Sequence, residues 1–511
     1  MRIFFLNPSS KSLEKQLGLY RFFDSPFSPL WAGYLSSISL DFTDEIYVVD
    51  NYVERLDVRS VVQTIKQTKP DILCISVITQ TANFSYNVAK AVRSILPKTK
   101  IIMGHTHASY FADEIVSKNL ADIVVIGEGE ETFRDILRLF QRYADLYPED
   151  LKNVKGIVFR QDGIIFKTPE RERIKNIDSL PFPAWHLFRK YFKHYTLYPF
   201  MPARRNSDLT LTFLASRGCP FSCNFCTVLM GNRYIIRSPQ NICDEIEFFN
   251  QEFGCKNFFF VDPLFPPSKS LGLKILEYMA KRKIGNIASW ECETRVDIID
   301  DELSEALREA GCEMVSIGIE TADDSLLENL NKKQKVERVK KAVGSLKKFG
   351  IKVMGLYMLG VPGETKESAK KTISFAKSLD TDITRLSILV PYPGSDLYEK
   401  YLNGKYNFSD QDWEYFSTYP QRPYYPYKID WTELRPSDLF YLQLKANIYT
   451  NFSLKKILRV LSISRSKIIV SCVKFLFNLV AFLTKSVFSQ INQNFQPKIK
   501  YFLINFQRFR N

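Results

Sequence analysis

The sequence has no acidic residue after Asp438, although residues 439–511 hold twelve Lys and Arg. The formal charge of +14 therefore belongs to one segment, because residues 1–438 carry only +2. That distribution argues against a uniformly basic nucleic-acid-coating surface, and no nucleic-acid partner is favoured. Cysteine is sparse and irregularly spaced, with nine in 511 residues, which excludes the disulfide framework of a small secreted domain and points to a reducing compartment. The N-terminal Met1-Arg-Ile-Phe-Phe-Leu-Asn-Pro stretch has an apolar run too short for a signal-peptide core, so no export signal is expected. With 45% hydrophobic and 25% charged residues, wholesale disorder and a multi-span membrane protein are both excluded. The length suggests two to four domains.

What the sequence does contain begins with alternation. In residues 1–145, short apolar runs at 3–6, 45–50, 71–79, 100–104 and 122–127 are separated by stretches with apolar residues at three-to-four spacing. This is the pattern of a parallel sheet covered by helices on both faces, and it predicts a flavodoxin-like, doubly wound domain over 1–145. Ligands of such sheets bind beyond the carboxyl ends of the strands. The loops carrying Thr79 and Thr81, Gly104 and His107, and Gly127 and Glu128 are therefore expected to line a site.

Residues 146–208 change character. A hairpin signal at Asp162-Gly163 is followed by the proline-rich Leu180-Pro-Phe-Pro-Ala-Trp185, which cannot run on as a regular helix and is read as a linker. Alternation then resumes over 209–401, with strands expected at 211–215, 257–261, 288–293, 314–319, 352–359 and 384–390. Six strand–helix units fit a partial β/α barrel, whose chemistry should sit at the strand carboxyl ends.

Cys219-Pro-Phe-Ser-Cys223-Asn-Phe-Cys226 places three thiols within eight residues, just after the first barrel strand. Thiolates ligate iron–sulfur clusters and zinc, but a structural zinc wants a fourth ligand and none is near in sequence. Three ligands on a four-iron cluster leave one iron open.

With these cysteines the sequence resembles the radical S-adenosylmethionine (SAM) superfamily, whose signature has the same spacing. The resemblance implies a [4Fe-4S] cluster held by Cys219, Cys223 and Cys226, with SAM bound to the open iron as the source of a deoxyadenosyl radical. It places Phe225 by the adenine and Asp262, at the end of the second strand, near the methionyl amino group. Relatives often show a second acid where this chain has Pro263. Arg295 is assigned to the SAM carboxylate, Glu320 either to a ribose hydroxyl or to a structural ion pair, and Gly360 to a close backbone approach to a flat ligand. Gly104-His-Thr-His107-Ala, Gly127-Glu-Gly-Glu-Glu-Thr-Phe133 and the 180–185 linker resemble the cobalamin-binding module of one large branch. The Asp-x-His-x-x-Gly motif that supplies a histidine to cobalt is missing; His107 either packs by the corrin or is structural. The resemblance implies methyl transfer to an unactivated carbon of an apolar substrate, or alternatively a radical cyclisation or rearrangement on a porphyrin-type substrate. An electron donor such as flavodoxin or ferredoxin follows from the same chemistry. An RNA-modifying relative is disfavoured because the only cysteine before Cys219 is Cys74. No catalytic side chain is assigned beyond the cluster.

Residues 402–438 are rich in aromatics, from Trp413 to Trp431, and form either a lid over the barrel mouth or ordinary packing. Residues 439–511 are expected to form a basic helical tail. From Lys467 onward a narrow polar stripe (Lys467, Ser471, Lys474, Asn478, Lys485) runs along an apolar helix. It spans a bilayer, lies in the interface or docks on the barrel; twelve uncompensated cations favour an anionic surface. The expected localisation is cytoplasmic, peripheral on the inner face of the membrane.

Overall fold

The computed structural model describes residues 1–9, 26–196, 209–227, 231–420 and 422–451. Strands β1 (Ile3–Asn7), β2 (Ile46–Asp50), β3 (Ile72–Ser76), β4 (Lys100–Gly104) and β5 (Ile123–Val125) pair in parallel in the order β2-β1-β3-β4-β5. This is the expected doubly wound arrangement. The strands are apolar on both sides because helices cover both faces; helix Ala82–Ile95, for example, buries Phe84, Val88 and Val92.

The 157–167 hairpin is not part of a separate linker. Strands β6 (Ile157–Gln161) and β7 (Ile164–Lys167) extend the same sheet, β6 pairing antiparallel with β5. An uncovered β5 edge would offer unpaired backbone groups to any passing strand, and the hairpin closes it.

After two short antiparallel strands that include β9 (Ser216–Arg217) and β10 (Ile235–Ile236), the second unit is a six-stranded parallel sheet. It contains β8 (Thr210–Phe213), which precedes that pair, and β11 (Asn257–Phe260), β12 (Ser289–Thr294), β13 (Cys312–Glu320), β14 (Lys352–Leu359) and β15 (Ile383–Ile388), in the order β15-β14-β13-β12-β11-β8. Helices follow the strands, and aromatic stacking of Phe213, Phe260, Phe265 and Trp290 fills the layer between them. The edges β8 and β15 do not pair with each other, so this is an open barrel.

The units interlock. Ser28, which precedes helix Leu30–Ser39 of the first unit, bonds Thr212 of β8: the Thr212 N–H donates to Ser28 Oγ at 2.9 Å and the Thr212 hydroxyl to Ser28 O at 2.7 Å. Phe27 stacks on Phe259 of β11 at 4.5 Å.

The aromatic segment packs rather than standing free. Trp413 lies 5.0 Å from both His107 and Phe111, and Gln80 donates to Phe416 O at 2.9 Å. Helix Pro436–Asn451 corrects the expected start of the tail, because it belongs to the barrel. The amides of Asn447 and Asn451 each take up both backbone groups of one β15 residue: Leu386 N and O at 3.0 and 2.8 Å, Thr384 N and O at 2.9 and 2.7 Å. The polar-striped helix expected from Lys467 lies outside the described residues. Among the described residues no helix is long and apolar enough to cross a membrane.

Candidate functional site

The cysteine loop starts where Gly218 turns the chain. Gly218 has φ +83°, and a Cβ there would meet Arg233 O at 2.3 Å, so only glycine fits. Cys219 then donates to Gly231 O at 3.3 Å, and Asn224 ties the loop to residues 329 and 330 through its side chain (2.6 Å to Asn329 O) and backbone (3.2 Å to Leu330 O). Burial, reinforced by the neighbouring Cys223 and Cys219, pushes the Cys226 thiol up to about 12. The Cys223 thiol is also raised by burial, against the opposing pull of Lys332 and Arg295. Iron binding would displace the protons of these two raised thiols. Among the described residues no three His, Cys, Asp or Glu side chains gather tightly enough for a single metal ion. The donor set, three thiols and no fourth ligand, suits a four-iron cluster with one open iron.

Beside this loop, a cavity of about 390 Å³ joins the two sheets. Phe225, Cys226, Met358, Leu389 and Tyr392 line it from the barrel, and Ile78, Thr79, Gln80 and Thr106 from the ends of β3 and β4. Phe225 also packs against Leu326, Leu330 and Met358, an apolar seat for a flat ring.

The other expected residues have varied surroundings. Asp262 is buried and accepts from the Ser216 hydroxyl and from Ala215 N–H at 3.1 Å; burial raises its carboxyl to about 7. It thus braces the strand that leads into the cysteine loop. Arg295 is already partnered: Nε donates to Asp297 at 2.8 Å, Nη2 to Lys333 O at 2.8 Å, and its plane lies 3.9 Å over the Phe221 ring. Glu320, at φ +63°, is ion-paired with Lys332, the structural alternative of the two expected for it. Gly360, at φ +80°, is sealed from above: Trp431 Nε1 donates to its carbonyl at 2.9 Å and Leu439 fills the space a Cβ would take.

On the first unit, Thr79 reaches the cavity, whereas Thr81 folds back on its own turn, bonding both Ile78 N and O. A Cβ at Gly104 would touch Val125 O at 3.7 Å, whereas Gly127 leaves open space, with nothing within 4 Å of a Cβ there. His107 is buried, its Nε2 2.9 Å from Tyr86 OH, and burial drops its imidazole to about 3. Its neutral ring packs against Phe111 and Trp413. Glu128 faces the barrel: with Glu130 it receives the buried Arg217 guanidinium at 3.2 and 2.5 Å.

The sequence reading missed Arg217, although it stands two residues before Cys219. It also missed Glu291 and Glu293. Trp290 donates to Ala310 O in the helix layer at 2.8 Å, so Glu291 and Glu293 turn to the barrel interior. Burial lifts Glu291 to about 8; burial and the Glu320 charge lift Glu293, which opens onto the barrel mouth, to about 7.

Comparison with known proteins agrees with this arrangement. Residues 213–376 match the radical SAM superfamily and residues 23–137 match the B12 binding domain. An uncharacterized methyltransferase of Pyrococcus horikoshii is 30% identical over 375 residues, 73% of this chain and 78% of that protein. The anaerobic magnesium-protoporphyrin IX monomethyl ester cyclase of Cereibacter sphaeroides is 26% identical, over 80% of this chain and 66% of its own. Among solved structures, the radical SAM methyltransferase TsrM of Kitasatospora setae, determined with cobalamin and a [4Fe-4S] cluster, superposes with a TM-score of 0.62 at 17% identity, covering 78% of this chain and 77% of that one.

Proposed function

The chain belongs to the radical SAM family that carries an N-terminal B12-binding domain, and from that premise we propose that it transfers a methyl group to an unactivated carbon of a small, largely apolar substrate. The observation that carries the reading is the 390 Å³ cavity in which the β3 and β4 loops of one sheet face Phe225 and Cys226 of the cysteine loop. When bound, the cluster with SAM supplies hydrogen-atom abstraction and cobalamin supplies the methyl group.

In this reading Cys219, Cys223 and Cys226 hold the cluster. Phe225 would seat the adenine, and Thr79, Gln80 and Thr106 would border the corrin, beside Gly104 and the open space at Gly127. Asp262, Arg295 and the Glu320–Lys332 pair position the cluster loop and the end of β13 instead of offering free charges. Met358, Ile388, Leu389 and Val390 exclude water on the substrate side and favour an apolar skeleton. A flavodoxin- or ferredoxin-type protein supplies the electron, and the basic segment after residue 451 holds the enzyme at an anionic membrane surface.

Anaerobic reconstitution followed by desalting should leave iron, sulfide and a corrinoid on the protein. Replacing all three cysteines by alanine should remove the iron and abolish deoxyadenosine formation while the corrinoid stays. A wild-type preparation that retains no corrinoid would overturn methyl transfer. The cyclase relative supports a second reading, oxidative ring closure. Methyl transfer makes S-adenosylhomocysteine as well as deoxyadenosine, whereas ring closure makes deoxyadenosine alone.

A further inference from the structure

Residues 332–341 hold six Lys and Arg against one acid, Glu337, in a body whose charge is close to zero. They rim a groove of about 470 Å³ whose lining sets four cations, Lys332, Lys333, Lys335 and Arg338, against two carboxylates, Asp297 and Glu328. Lys333, Lys335, Arg338 and Lys340 are exposed. Lys335 shares an exposed pair with Glu328 at 3.3 Å, while among the described residues no carboxylate comes within 4.0 Å of Lys333, Arg338 or Lys340.

This groove is built onto the cysteine loop. Asn331 donates its amide to Ser222 O at 2.6 Å, the carbonyl immediately before Cys223. Asn224, immediately after Cys223, is bonded to Asn329 O and Leu330 O, and Arg295, lying on Phe221, donates to Lys333 O. Both neighbours of Cys223 are thus joined to the loop that bears the cations. The 390 Å³ cavity touches the loop elsewhere, at Phe225 to Thr227, so the groove leaves the substrate side clear.

We propose that this cationic groove is the docking surface for a small acidic one-electron carrier protein that reduces the cluster. The proposal rests on the cluster assignment made above. In the step, the carrier loses one electron, the oxidised cluster gains it, and no bond is made or broken. Transient redox encounters use small interfaces, under about 1,200 Å², and are steered by complementary charge. A single-stranded nucleic acid would want aromatic rings on which bases stack, and none of the residues lining the groove is aromatic.

The test uses the full chain, a reduced acidic flavodoxin as probe, and the charge-reversed variant Lys333→Glu/Lys335→Glu/Arg338→Glu. Affinity is measured by titration with and without the cluster, and cluster reduction by the loss of its visible absorption in stopped flow. Wild-type reduction by flavodoxin should slow with added salt. The variant should bind at least about tenfold more weakly and be reduced correspondingly more slowly. Its iron content and its reduction by dithionite should match wild type. The neutral Lys333→Gln/Lys335→Gln/Arg338→Gln variant should fall between. Equal flavodoxin affinity and rate in all three proteins would overturn the proposal, as would a charge-dependent loss of RNA retention with electron transfer unchanged. Failure of dithionite-reduced wild type to make deoxyadenosine would instead overturn the cluster reading, and the affinity titration would still judge the groove.

Discussion

Glu291 shows how far one side chain can be shaped by its partners. It has an ordinary strand position but lies buried inside the barrel with one oxygen unpartnered, and its carboxyl is lifted to about 8. The native state therefore binds a proton that the unfolded chain releases near the ordinary carboxylate value. Its contribution favours the fold fully below that value and is lost as pH rises through about 8. Glu291→Gln should raise the melting temperature by several degrees at pH 8.5 and hardly at all at pH 4, which thermal unfolding at the two pH values will read. The cysteine triad was legible in the sequence because its three members are local to one loop. The surroundings of His107 and Glu128 were not legible, because their partners are distant: Tyr86 and Trp413 enclose the one, and Arg217 lies 89 residues from the other.

At the scale of elements, periodicity located all eleven parallel strands to within a few residues, since burial on one or both faces writes itself into the sequence. Helix Pro436–Asn451 was misassigned for an instructive reason. The tail was bounded by charge, from the last acid Asp438 onward, and charge does not register Gln443, Asn447 and Asn451, whose amides at intervals of four cover β15. Asn447→Leu should leave the Leu386 N–H unsatisfied, while its carbonyl keeps the Gln443 amide, and cost about 1–3 kcal/mol. Thermal unfolding should register that loss, and light scattering should show more self-association, because the bared edge is a template for another strand.

For the whole molecule, the Arg217–Glu128–Glu130 cluster joins the end of one sheet to the entrance of the cysteine loop. Arg217→Met would strand the buried Glu130 carboxylate and leave Glu128 with Arg173 at 3.8 Å and the Ile174 N–H, and should destabilise the protein by about 3–5 kcal/mol. Adding Glu128→Gln and Glu130→Gln should recover much of that loss, since the stranded charge, not the missing contact, dominates it. Denaturant midpoints of the single and triple variants decide the point. Pulsed electron paramagnetic resonance on the loaded triple variant should show a broader cobalt-to-cluster distance distribution than wild type.

The junction at Ser28 has a bearing on how the protein is made. Ser28 emerges from the ribosome 184 residues before its partner Thr212. At about 5–20 residues per second, that interval is roughly 10–40 s. Strand β7, the last of the first sheet, ends 45 residues before Thr212, so Ser28 waits on a completed sheet for roughly 2–9 s until β8 arrives, and Phe27 waits longer, for Phe259 of β11. The nascent chain thus carries a sticky address label during synthesis, and the last step of its folding is the delivery of the barrel to that label.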